Sequence, residues 1–183
     1  MRSMAGTSAI RSHTAQPRHL ETKVPRSPPP KSRAVTAVMR ANKPKDTGPE
    51  LALRRALRKR GLTGYRTGPK GIPGRPDVAF IRSRVAVFVN GCFWHQHGCA
   101  RSGTGTPKSN ASYWRLKFAL NKARDERKIA ALQAATWDTL TIWECELAKN
   151  AARCAERVQR LLTRADMSRI QPRMQDPLLR RGR

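Results

Sequence analysis

Residues 85–99 read Val85-Ala-Val-Phe-Val-Asn-Gly-Cys-Phe-Trp-His-Gln-His-Gly-Cys99. Five apolar residues, three of them Val, run from 85 to 89 and stop at Asn90-Gly91. A short apolar run bounded by turn residues predicts a buried strand. Cys92, His97 and Cys99 then arrive within eight positions, with Phe93, Trp94 and His95 between them. The pattern predicts a loop at the end of a sheet, where metal ligands bracket two adjacent aromatics and hold them as a rigid wedge.

The elements on either side follow from turn signals and periodicity. Upstream, 76–81 reads as a second strand, and Arg82-Ser83-Arg84 as the tight reversal that joins the two into a hairpin. Gly71-Ile-Pro-Gly-Arg75 is a turn, and Tyr65-Arg66 a short, weak strand. Thr47-Gly-Pro-Glu50 starts a helix: Thr47 can cap it, Pro49 fits the first turn, and Glu50 stands where a capping box places an acid. That helix is expected to end near Arg60, before Gly61. Downstream, 100–111 is mostly Gly, Ser, Thr, Pro and Lys and reads as a loop. A long helix is expected over about 112–135, and a strand over 139–143 with Cys145 just past it. The last helix is expected over about 147–162, with Leu147, Ala151, Cys154, Ala155, Val158 and Leu162 on one face. Helix, three strands, helix, strand, helix is the order of an α/β domain with helices on the faces of a sheet. Residues 1–35 contain Pro28-Pro29-Pro30 and lack apolar periodicity, so they read as a disordered basic arm. The domain is placed at 36–163, and 164–183 reads as a basic tail.

A chain of 183 residues has room for one domain with its own core. It carries 38 Lys and Arg against 12 Asp and Glu, a net charge of +26. Residues 48–163 alone hold 22 basic and 8 acidic side chains, so the excess belongs to the domain and not only to its tails. A folded domain this basic is expected to meet a polyanion, and nucleic acid is the common one, because each neutralised phosphate releases counterions. No segment reaches the apolar length of a membrane span, and no secretory signal is visible, so a cytoplasmic setting is expected. Four cysteines in a chain of this size make no disulfide framework; clustered with His they point to a metal.

Cys92, His97 and Cys99 from one loop, with Cys145 from the far strand, offer three thiolates and an imidazole. Tetrahedral Zn²⁺ takes such a set in a closed, structural site. The plain alternative is a group of buried cysteines. Cys154 is set aside, because it falls on the apolar face of the last helix. With four ligands already named, His95 is left for chemistry, as a substitute for His97, or as a loop residue in solvent. Acids are scarce, so their placement is informative. Asp77 follows Pro76 at the head of a strand, where Asp is a poor former. A carboxylate there is what a Mg²⁺-dependent phosphodiesterase needs to hold its ion, and it is equally a residue that caps a strand end. Glu50 either adds a second carboxylate or caps its helix, and the local pattern favours the cap.

Five segments carry a resemblance. Pro73-Gly-Arg-Pro-Asp-Val78, Val87-Phe-Val-Asn-Gly-Cys-Phe-Trp-His95, Tyr113-Trp114, Asn121 with Arg124-Asp125, and Ile142-Trp-Glu-Cys145 occur in one order and spacing. Over about residues 36–150 the chain resembles the very-short-patch-repair (Vsr) DNA mismatch endonucleases. The resemblance implies a fold like that of type II restriction enzymes, the PD-(D/E)xK nucleases. It implies that Asp77 binds Mg²⁺ with the backbone carbonyl of Val89, that His95 serves the cleavage chemistry, and that Glu50 supports the site. It further implies that Cys92, His97, Cys99 and Cys145 hold zinc. Phe93 and Trp94 match aromatics that push between base pairs at a T·G mismatch, and Met39 matches a residue that enters from the other groove. Unstacking costs least at a mismatch, which is one physical source of selectivity.

The chain departs from the pattern at named positions. Asn90 stands in the site where the family has a second histidine, and an amide cannot act as a general base. Thr136 stands where a glycine usually ends the long helix. At Val87-Phe88-Val89 the chain, like the family, lacks the second acid and the Lys of the superfamily motif. The implied activity is a Mg²⁺-dependent nick 5′ to the T of a T·G mismatch left by deaminated 5-methylcytosine. The implied actor is a monomer on double-stranded DNA in a bacterial nucleoid, with mismatch-repair proteins as candidate partners. Two other readings stay open: a Vsr-like nuclease with another DNA target in restriction or defence, and a zinc-stabilised DNA-binding module without catalysis.

Overall fold

The structure, a computed structural model, describes residues 43–103 and 105–174 and, before them, 26–29, 32, 33, 36, 37 and 40. Met39 and most of the arm expected over 1–35 lie outside the described residues.

The apolar run forms β2 (Val85–Asn90), the middle strand of a three-stranded sheet. β1 (Val78–Phe80) pairs with it antiparallel, Val78 opposite Val87, as the short reversal at 81–84 dictates. β3 (Asp138–Trp143) pairs on the other side in parallel, Val85 opposite Asp138 and Asn90 opposite Trp143. Parallel strands need a long crossover, and α2 (Ala111–Ala134) supplies it; α1 (Gly48–Lys59) precedes the sheet. The strand expected at Tyr65-Arg66 is reduced to one bridge, Arg66 to Ala79. Beyond the bridge the Gly68 N–H, at φ 52°, donates to Pro76 O at 3.2 Å, out of step with the ladder. The loop expected over 100–111 contains a single 3-10 turn, Ala100–Ser102.

Alternation along β2 divides the interior into two layers. Val85 and Val87 face a large cluster with Leu53 and Leu57 of α1, Val78 and Phe80 of β1, Ile142 of β3, and Leu147, Val158 and Leu162 of the last helix, α3 (Glu144–Met174). Ala86 and Phe88 face the opposite way, onto Leu132 of α2, with Ile72 and Trp137 at the margin. β2 is therefore covered on both sides, which is why its sequence is continuously apolar rather than alternating. Cys154 is 2% exposed within the larger cluster, as its helical face requires. Thr136, at the turn after α2, holds φ 60°, a left-handed conformation that favours glycine. Its hydroxyl accepts from the Arg84 guanidinium at 2.5 Å, which ties that turn to the hairpin.

The last helix, α3 (Glu144–Met174), differs from expectation at both ends. It begins directly on β3 and is interrupted once, at Asn150, where φ is −160° and ψ 90°. The Asn150 side-chain oxygen accepts from the Arg153 N–H at 2.9 Å, an N-cap that restarts the helix. The helix then continues past Leu162 because Ala165 is buried and Arg169 is engaged. The Arg169 guanidinium donates to the Ser83 carbonyl, to Ala165 O at 3.1 Å and to Thr136 O at 3.4 Å. One side chain thus pins the helix to two turns. Arg169→Ala is expected to lose about 1–3 kcal/mol, since charged donors leave carbonyls unsatisfied. A thermal melt should fall by several degrees; an unchanged melt would show that this end of the helix is not part of the cooperative fold.

Candidate active site and metal cluster

Topology brings the candidate residues to one end of the sheet. β1 starts where β2 ends, because they are antiparallel, and β3 ends there too, because it is parallel to β2. Asp77 therefore stands just before β1 beside Val89 and Asn90, and Cys145 leaves β3 next to the loop over 91–99.

The cysteines and His97 come together as the spacing predicts. One ligand atom each from Cys92, His97, Cys99 and Cys145 lies within 4.8 Å of all the others. His97 Nδ1 is 3.8 Å from the Cys92 sulfur and 3.4 Å from that of Cys145. Zn–S and Zn–N bonds of about 2.3 and 2.0 Å set tetrahedral edges of roughly 3.5–3.8 Å, so the cage has the size of such an ion. The loop is held for this purpose. Gln96 takes φ 51°, the His97 N–H donates to Cys92 O at 3.1 Å, and the His97 ring stacks on Trp143 at 4.0 Å and 9°. Glu144 accepts from the Cys92 N–H at 3.3 Å and pins the other side. Burial pushes the Cys92 thiol up to about 12, whereas the Ser102 hydroxyl, with His97, draws Cys99 down to about 6. A buried thiol that resists ionisation and is gathered with other thiols and an imidazole is the situation a bound cation relieves. The group can therefore hold a metal.

Asp77 is held by the strand it faces. Its Oδ2 accepts from the Val89 N–H at 2.7 Å. An extended residue turns its N–H and C=O to the same edge, so the Val89 carbonyl lies on the edge facing Asp77. Burial pushes the Asp77 carboxyl up to about 6; the Val89 N–H opposes this, and the charge of Glu50 adds to it. Glu50 is engaged at the start of its helix and lies close enough for its charge to act on Asp77. It accepts from Thr47 Oγ1 at 2.8 Å and from the Asp46 N–H at 3.0 Å, which organises the start of α1, while its charge reaches Asp77. The Thr47 hydroxyl is spent on Glu50 and makes no cap bond to the helix.

His95 is in neither the cysteine cluster nor solvent. Its Nδ1 contacts Asp125 Oδ2 of α2, with both side chains about four-fifths buried. Burial raises the Asp125 carboxyl, but His95 and Lys128 together bring it below its usual value. An Asp on Nδ1 fixes the ring and leaves Nε2 to exchange a proton with a substrate. Asn90, Asp125 and Lys128 line a narrow crevice beneath the sheet.

Phe93 and Trp94 do not stand alone. Phe93 meets Trp94, Trp114 and Phe118 edge-on at 5.1, 5.5 and 5.4 Å. Lys117 Nζ lies 5.1–5.5 Å from the rings of Trp94, Tyr113 and Trp114, and Asn121 donates to Trp94 O at 3.1 Å. Lys117 and Lys128 carry no motif of their own, and Asp125 stands out only within the segment Asn121 to Asp125. The signal was present: Trp114, Lys117, Phe118, Asn121, Asp125 and Lys128 recur at steps of three and four, one stripe of a helix.

By sequence the class is that of DNA-cutting enzymes. The family described as DNA mismatch endonuclease Vsr matches residues 30–101. The chain is 46% identical over 110 residues to the type II nicking enzyme V.XorIIP of Xanthomonas oryzae pv. oryzae, covering 60% of this chain and 79% of that one. It is 37% identical over 136 residues to the type II nicking enzyme V.NmeDIP of Neisseria meningitidis serogroup C, covering 74% and 90%. It is 38% identical over 109 residues to the DNA mismatch endonuclease Vsr of Escherichia coli (strain K12), covering 60% and 68%. The chain belongs to the Vsr family of DNA mismatch endonucleases, hydrolases of the phosphodiester bond. Among the described residues, no helix is long and apolar enough to cross a membrane.

Proposed function

We propose that this protein is a Mg²⁺-dependent endonuclease that nicks one strand 5′ to the T of a T·G mismatch, starting the repair of deaminated 5-methylcytosine. The observation that carries the reading is the gathering of Asp77, the Val89 backbone and the His95–Asp125 pair at one sheet end, beside the Phe93-Trp94 loop. Asp77 and the Val89 carbonyl would hold the ion, an all-oxygen set of the kind Mg²⁺ takes. When bound, the ion neutralises phosphate charge and makes water a better nucleophile. His95, aligned by Asp125, moves a proton at Nε2. Asn90 offers its amide as a hydrogen-bond partner and takes no proton. Phe93 and Trp94 press into the stack, and Met39 would enter from the other groove. Cys92, His97, Cys99 and Cys145 would hold a structural Zn²⁺ that stiffens the wedge. The architecture would be that of a restriction-enzyme-like nuclease, acting as a monomer on chromosomal DNA in the bacterial cytoplasm, with mismatch-repair proteins downstream.

The names of the nicking-enzyme relatives favour keeping a second reading, in which the same machinery serves another DNA target. One experiment separates the two. Purified protein and Mg²⁺ are incubated with a labelled duplex carrying one T·G pair in a cytosine-methyltransferase site, beside its paired control. A denaturing gel should show one cut next to the T, absent from the control. Equal cutting of both duplexes would retain the nuclease and discard the mismatch.

A further inference from the structure

A site that gathers Asp77, Glu50 and Asp125 around a phosphodiester has a charge problem. On the proposed reading the carboxylates of Asp77 and Asp125, with the charge of Glu50 acting on Asp77, meet a substrate that is already an anion and gains charge as it is cleaved. Besides His95, which pairs with Asp125, the described residues place Lys128 of α2 against these groups. Its Nζ is 3.3 Å from Asp125 Oδ1, while the other oxygen of that carboxylate holds His95. Its charge also acts on Asp77. It shares the crevice with Asn90, which carries no charge of its own.

Lys128 is aimed as well as close. The loop before Asp77 closes directly on its stem. Gly74 holds φ 72°, and a Cβ added there would lie 2.7 Å from Lys128 Cβ and 2.9 Å from its Cγ. The absence of a side chain at 74 is what lets the loop seat on the stem, so the stem is confined on one side while the ammonium reaches Asp125. A surface lysine in a charged helix run is normally free to swing; this one is not. An ammonium has three donors. Asp125 engages one of them at a long distance, and the side chain is 31% exposed, so the remaining donors are open to a ligand.

We propose that Lys128 is a catalytic residue of this enzyme, whose ammonium binds a non-bridging oxygen of the phosphate being cut. It supplies, from a helix, the fixed positive charge that the strand residues Val87-Phe88-Val89 do not carry. The assignment rests on Asp77 marking the cleavage site. Preorganised charge of this kind is worth about 10²–10³-fold in rate, and the effect is expected on the chemical step rather than on binding.

Lys128→Met keeps the stem that packs on Gly74 and removes only the charge; Lys128→Arg keeps the charge. Single-turnover cleavage is measured at saturating enzyme and Mg²⁺, on the duplex that the wild type nicks. Binding to the same duplex without Mg²⁺, bound zinc and the melting temperature are read alongside. Lys128→Met should cut about 100-fold more slowly with binding, zinc and melting unchanged, and Lys128→Arg should recover to within about tenfold of wild type. Lys128→Met cutting within threefold of wild type, while Asp77→Asn is dead, would overturn the role of Lys128 and leave the site intact. A loss in Lys128→Met that tracks a lower melting temperature would also overturn it, since that marks packing. A wild type that nicks no duplex would overturn the site and Lys128 with it.

Discussion

Asp77→Asn should abolish cleavage and at the same time make the protein more stable. The carboxyl is buried and raised to about 6, against 3.8 when free. A folded value above the unfolded one means that the fold prefers the protonated acid. Its contribution is fully present below about pH 4 and is lost as pH rises through 6. At neutral pH the ionised group therefore destabilises the metal-free protein, by up to about 3 kcal/mol for a shift near two units. Asparagine carries no charge at any pH, and its amide oxygen can still accept from the Val89 N–H. The variant should melt several degrees above wild type at pH 7 in magnesium-free buffer, and the gap should close near pH 4. Cleavage should fall by about 10³-fold or more, because the ion loses its anionic ligand, while DNA binding survives. A variant that cuts normally would remove Asp77 from the chemistry. One that is inactive but no more stable at pH 7 would show that the buried charge is already relieved in solution.

The second large effect is expected at the other cluster. Cys145→Ala should lose its bound metal and most of its folded population. A structural zinc can contribute about 10 kcal/mol or more of apparent binding energy, comparable to the whole stability of a domain, about 5–15 kcal/mol. Four ligands joining two strands and a loop make that energy part of the sheet. Cys154→Ala is the control. It removes the same thiol from a more deeply buried site that belongs to the apolar cluster, so it should keep the metal and cost only a small cavity term, about 1–2 kcal/mol. Metal content by elemental analysis and melting by circular dichroism decide between them. A metal-free Cys145→Ala protein with a wild-type melting curve would reduce the cluster to a group of unligated cysteines.

What could be read from the chain depended on how local the signal was. Val85 to Asn90, the reversal at 81–84, the first helix and the crossover helix are each announced within a dozen residues, and the structure has them. The cysteine–histidine cluster was legible because three of its members share one loop. The contact between Asp77 and Val89 follows only once the antiparallel pairing is granted. Lys128 was hidden in a run of charge, Arg124 to Lys128, and the pairing of Asp125 with His95 was not legible, because the sheet end they meet is fixed by a crossover, not by neighbours in sequence. The end of the last helix was hidden for the same reason. Arg169 resembles any basic tail residue until Ser83 and Thr136, far off in the chain, supply the carbonyls it holds.

The parallel register of β2 and β3 has a further consequence. Asn90 lies opposite Trp143, so Cys92 and Cys145 leave the sheet two residues past paired positions. A slip of one residue in β3 would shift Cys145 by about 3.3 Å along the strand and turn its side chain to the other face. The cage, whose ligand atoms now lie within 4.8 Å of each other, could not close. If the cluster takes up a metal as proposed, metal content would therefore report on the register of the last strand. A chain with its last strand one residue out of register would then carry no metal and leave the four side chains apart.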